Sequence, residues 1–196
     1  MKQRASAVLC LLGLLGWCGC VPGSLGEFHL EEDVIPPPPN MIGKWRPRII
    51  MGSEVDEEKI RPWIIGEDQM AIYDEENKKA HLEFVLFRVG KHIFCDSFPG
   101  GPGSALKANS IWLAHVLPIH VLSKVEMEGK TLRFVPLNTD YVRKKIEEKE
   151  LPFRYVEKDV YCLFNENPER WKEMLTKYGN EKDAFSRERM FELVRM

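Results

Sequence analysis

Apolar and polar residues alternate along several stretches of the chain, with the period of two that puts successive side chains on opposite faces of a strand. From Val121 to Met127, positions Val121, Ser123, Val125 and Met127 stand against Leu122, Lys124 and Glu126. His81 to Val89 is rich in β-branched and aromatic residues and holds neither Gly nor Pro. Gly90-Lys91 can turn the chain into a second strand, His92 to Phe98, so the two read as a hairpin. Glu128-Gly129 is a further turn signal, and Thr131 to Leu137 returns. Arg154 to Phe164 reads as a strand pair or one bent strand, and Ile111 to Met127 as extended chain broken by Pro118.

The period changes late in the chain. Asn138 or Thr139 caps a short helix to Lys149, with Val142 and Ile146 one turn apart. Asn167 is an N-cap, Pro168 a first helical residue and Gly179 a stop. Between them Trp171, Met174, Leu175 and Tyr178 form one apolar stripe, so the helix at 167–178 docks on the strands. Phe185, Phe191 and Val194 suggest a final helix or tail. Strands come first and helices last. The expected fold class is α+β, mainly antiparallel β, a barrel or half-barrel with C-terminal helices. There is no dinucleotide-binding glycine fingerprint and no phosphate-binding loop.

The first residues follow another pattern. Lys2 and Arg4 precede an uncharged apolar run, Ala5 to Trp17, shorter than the roughly 20 residues that cross a bilayer. Residues 1–20 therefore read as a signal peptide. Gly19-Cys20 matches the end of a bacterial lipoprotein signal, which makes Cys20 the expected lipidation site. Residues 21–40 carry Gly23, Gly26, acidic Glu31 to Asp33 and the prolines Pro36 to Pro39. They read as a flexible Pro-rich tether, followed by a single domain at 41–196.

Composition narrows the partners. The chain is 44% hydrophobic and 30% charged with a formal net charge of −2. That balance excludes a disordered chain and a nucleic-acid coat. An exported chain can keep a disulfide, so Cys95 and Cys162 read either as a bridge or as two buried thiols.

Several segments in order resemble a family of uncharacterised bacterial lipoproteins with a lipocalin-like domain. They are Gly43-Lys44-Trp45, Ala80 to Lys91, Ile93 to Ser97, Leu117 to His120, Thr131 to Asn138 and the helix from Asn167. The resemblance implies an exported, lipid-anchored barrel in which Trp45 plugs one end. It implies no assigned activity.

Chemistry is sparse. His115 and His120 are five residues apart, which places them on opposite faces of an ideal strand, so no metal is expected there. His81 and Glu83 share one strand face, and His92 stands on the partner strand with Asp96. A His–Asp pair could orient a base. Ser97, Ser104 and Ser110 lie near, but none sits in a nucleophile elbow. His92, Asp96, His115 and His120 are the candidate binding residues. The expected function is a non-catalytic, lipid-anchored envelope module that holds a small apolar ligand or an envelope protein. It has no cofactor and no nucleic-acid partner, and it lies at the outer membrane or faces the periplasm. The alternatives are a hydrolase using His92 or His120 with Asp96, and a structural envelope protein without ligand.

Overall fold

The computed structural model describes residues 21–74, 77–100, 119–158 and 161–196. The signal peptide at 1–20, the Cys20 lipidation site, His115, Ser104 and Ser110 lie outside the described residues.

The strands in chain order are β1 (Val21–Ser24), β2 (Val34–Ile35), β3 (Gly43–Ile50), β4 (Ser53–Glu54), β5 (Trp63–Ile65), β6 (Gln69–Tyr73) and β7 (Lys79–Val89). After them come β8 (His92–Pro99), β9 (Val121–Glu128), β10 (Thr131–Pro136), β11 (Tyr155–Lys158), β12 (Tyr161–Phe164) and β13 (Phe191–Arg195). Two α-helices occur among the described residues, α1 (Thr139–Glu147) and α2 (Pro168–Tyr178).

Eight strands close a barrel in the order β3-β5-β6-β7-β8-β9-β10-β13, and β13 pairs back onto β3. Every neighbouring pair is antiparallel. Closure removes the unpaired edges that an open sheet would present. The register slips between Glu192 and Leu193, where Leu193 lies opposite Pro47. Proline has no N–H to give to a ladder, so an irregularity at that point is where a sheet tolerates it. The tight turns after β7 and β9 place Gly90 and Gly129 at positive φ, a conformation that favours glycine.

Alternation divides the apolar side chains into two cores. Trp45, Trp63, Ile65, Ile72, Leu82, Phe84 and Cys95 fill the barrel interior. Phe87, Phe94, Leu122 and Val135 face outward from β7 to β10, and α1 and α2 cover them. Helix α2 forms as its caps require. Asn167 Oδ1 accepts from Arg170 N at 3.0 Å and Gly179 N donates to Leu175 O at 2.9 Å. Trp171, Met174, Leu175 and Tyr178 are its buried side. Trp45 is buried inside the barrel, where its indole donates to Met41 O at 2.7 Å and the Arg195 guanidinium lies 5.7 Å from its ring centroid.

Two expectations are corrected. The C-terminal segment is neither helix nor tail: Phe191–Arg195 is the strand that closes the barrel. Five residues are too few to carry a helical stripe, and only the distant partners β3 and β10 reveal the strand. Residues 21–40 are not a free tether. β1 pairs in parallel with β12, Phe28 is 1% exposed, and β2 pairs with Phe87 and Leu86 of β7. Lys172 of α2 holds Asp33 at 2.8 Å. The stretch is laid along the barrel wall as a strap, because Phe28 fills a hole between the wall and α2.

Candidate functional site

The strap crosses the outer wall of the barrel over β8. There Asp96 points outward, away from the Cys95 side chain, and is 0% exposed. A buried carboxylate is costly unless it is fully hydrogen-bonded. Asp96 Oδ1 accepts from His120 Nδ1 at 2.9 Å. Its Oδ2 accepts from His29 Nδ1 at 3.2 Å and from the Phe28 backbone N–H at 3.2 Å. An ionised carboxylate only accepts, so both imidazoles carry a proton at Nδ1. His120 is fixed by its backbone, which exchanges two 2.9 Å hydrogen bonds with Ser24, and its ring lies 4.9 Å from that of Phe98. The His29 ring stands 5.7 Å from Phe87.

Burial pushes the Asp96 carboxyl up, but the His120 and His29 hydrogen bonds, the His120 charge and the Phe28 amide outweigh it and hold it below its ordinary value. Burial pushes the His120 imidazole down, and the Asp96 bond and charge, helped by Glu27, more than reverse that. Burial, reinforced by the Asp96 charge, drives the Cys95 thiol well above its ordinary value, which leaves it an inert core group. Cys95 and Cys162 are both buried and form no disulfide, and they lie one in each core.

Of the residues singled out in the sequence, Asp96 and His120 come together. His92 does not join them. It is four residues along β8 from Asp96, and its Nε2 bonds Asn180 Oδ1 at 2.6 Å beyond α2. Ser97 Oγ donates to Val121 O at 3.3 Å, so its proton is engaged there, while Ser24 Oγ accepts from Gly26 N at 3.2 Å. His29 was hidden in the sequence by its place in the proline-rich strap. Its one signal was the short apolar run Phe28-His29-Leu30, out of keeping with a spacer. No group of three or more His, Cys, Asp or Glu among the described residues is arranged to hold a metal.

A second feature lies at one end of the barrel. The turns at Gly90 and Gly129 and the start of β3 meet there, and the strap passes over them at Pro38 to Met41 before entering the barrel. Between strap and turns is a cavity of about 450 Å³. Met41, Leu86, Ile93, Val125 and Met127 line it, together with Pro38, Asn40 and Gly129. That volume is within the range of small-molecule sites, and an apolar wall with few polar groups is their usual character. The strap is held in place there by Arg195, which bonds the carbonyls of Asn40 and Ile42.

The fold and these two features define a closed antiparallel β-barrel with an external polar clasp and an apolar end cavity. No protein-family model, no curated protein and no solved structure matches the chain. Among the described residues no helix is long and apolar enough to cross a membrane.

Proposed function

We propose that this protein is a non-catalytic binding module, exported and tied to a membrane by lipid on Cys20, whose barrel holds a small apolar ligand. The observation that carries this reading is the apolar cavity of about 450 Å³ at the barrel end, walled by Met41, Leu86, Ile93, Val125 and Met127. The methionines suit a ligand of flexible shape, since their thioether chains adapt to irregular surfaces. The Asp96 clasp supports the reading by holding the strap, and with it one wall of the cavity, on the barrel. Lipid attachment rests on the signal pattern and Gly19-Cys20, and the family likeness to lipocalin-type lipoproteins rests on the segments from Gly43 to Asn167.

The test is Nile red binding, with dodecanol as a displacing ligand, by the purified protein and by Val125→Trp. Saturable fluorescence that dodecanol displaces, lost at least tenfold in the filled variant with an unchanged circular dichroism spectrum, supports ligand carriage. Equal binding by both, or none by either, rejects it, and absence of binding favours the structural envelope role.

The hydrolase reading keeps one observation, the 2.9 Å Asp96–His120 pair, which has the geometry of an oriented base. Against it, the neighbouring Ser97 hydroxyl gives its proton to Val121 O. Hydrolysis of nitrophenyl esters that His120→Gln abolishes would favour it over the binding module.

A further inference from the structure

Strand β7 continues past the end cavity with a charge. Phe87 and Val89 belong to the outer core and Leu86 to the barrel interior, so alternation puts Arg88 on the inner face with Leu86. The register agrees: Arg88 is opposite Ile93, and Ile93 is opposite Val125. Residues directly opposite in an antiparallel pair share a face, with Cβ atoms about 5 Å apart. Arg88 therefore rises from the same face as Leu86, Ile93 and Val125, all of which line the cavity. Its side chain is exposed.

That charge is uncommitted. Two other arginines of this end are engaged: Arg195 bonds the carbonyls of Asn40 and Ile42, and Arg133 holds Glu128 and Glu192. Arg88 has no carboxylate partner among the described residues. The acids of the turn between β5 and β6, Glu67 and Asp68, are not beside it. Asp68 O accepts from Phe84 N at 2.9 Å, and Phe84 is about 13 Å back along β7 from Arg88. None of the described residues lining the cavity is acidic, and Asn40 supplies their one polar side chain. Its carboxamide carries two N–H donors. Lys130, next to the lining Gly129, is exposed and adds a second cation to this end. The chain as a whole has a net charge of −2, so the cationic end is a local feature.

We propose that the end cavity takes a single-chain amphiphile with an anionic head, its chain against Leu86, Ile93 and Val125 and its head on the Arg88 guanidinium. The proposal rests on the ligand carriage argued above and adds the charge of the ligand. A guanidinium meets a carboxylate or a phosphate with two parallel N–H···O bonds, and Asn40 is the second donor. At an exposed site such a pair adds little affinity. The apolar wall therefore supplies most of the binding, and Arg88 selects among ligands of equal chain length. A cationic head meets a like charge and is disfavoured.

The experiment uses the purified full chain and displacement of Nile red, a neutral probe. The competitors share one chain length: dodecanoate, dodecyl phosphate, dodecanol and dodecyltrimethylammonium, each below its micelle concentration. In the wild type the better anion should bind about fivefold more tightly than dodecanol, and the cation more weakly than either. Whichever anion binds more tightly names the head as carboxylate or phosphate. Arg88→Met should bring both anions to the level of dodecanol and leave dodecanol itself within about twofold, since the exposed side chain carries little of the fold. Anions no tighter than dodecanol, or a preference that survives Arg88→Met, overturn the charge selection while dodecanol binding keeps the cavity reading intact. An equal loss for every ligand in Arg88→Met also overturns it, because Arg88 would then support the cavity wall and not the head. No displacement by any of the competitors overturns both.

Discussion

Phe28 meets Trp171 edge to face, with ring centroids 4.6 Å apart and an angle of 63° between the rings. One ring belongs to the N-terminal strap and the other to α2. Phe153 and Phe164 pack on the same indole at 4.9 and 5.6 Å. The strap is therefore part of the outer core. Phe28→Ala should cost about 3–5 kcal/mol, as large-to-small changes of buried aromatics do. Urea unfolding followed by circular dichroism measures it. A chain beginning at Met41 should be markedly less stable than one beginning at Val21. A loss below about 1 kcal/mol in both would return residues 21–40 to the role of a spacer.

Asp96 is the second fixed point of the strap. Asp96→Ala leaves Phe28 N–H and two imidazoles without their acceptor in a buried setting. Breaking a buried pair by removing one partner costs about 3–5 kcal/mol. Amide exchange should accelerate first at Ser24 to His29, before the barrel strands, because the clasp ties that segment and not the barrel ladder. Uniform acceleration across β7 to β10 would show that Asp96 supports the barrel directly.

The clasp also sets a pH dependence. Asp96 is held below its ordinary value of 3.8, so its contribution is present above that pH and fades as pH falls through the folded-state value. His120 is held above its ordinary value of 6.5, so its contribution is full below that pH and fades as pH rises through the folded-state value. The clasp is therefore strongest between these limits. Thermal midpoints of the wild type should peak in weak acid and decline toward alkaline pH. His120→Gln should flatten the alkaline decline. An unchanged decline in that variant would assign it to other groups.

Helix α2 was legible to the residue, because capping chemistry and an apolar stripe are local signals: Asn167, Pro168 and Gly179 mark its limits. The β7–β8 and β9–β10 hairpins were legible too, since each is two strand patterns joined by a glycine turn between chain neighbours. The closing strand β13 was not. Phe191 to Arg195 is short, and its pairing with β3 joins residues at opposite ends of the domain. The candidate site was half legible. Asp96 and His120 could be singled out as polar residues among apolar strands. His29 could not, because proline-rich polar chain carries no signal of the wall it docks on, and His92 was drawn to Asn180 by the position of α2. Gly43-Lys44-Trp45 did not by itself place the tryptophan inside the barrel, since any first strand can hold a Gly and a Trp, and the Arg195 contact over its ring comes from the last strand.

The cavity gives a stability prediction distinct from its ligand. Leu86 is buried and lines it, so Leu86→Ala should cost about 2–5 kcal/mol. Met127 also lines it but is only half-buried, and Met127→Ala should cost less than about 1.5 kcal/mol. Chemical denaturation separates the two; equal costs would mean that the half-buried part of the wall is packed as tightly as the buried part.

Native mass spectrometry of the protein purified from its own host tests ligand carriage most directly. The account predicts a complex heavier than the mature chain by one small amphiphile, released on collisional activation and missing from Val125→Trp. A bare chain mass in both proteins, with no uptake of dodecanol on addition, would contradict it.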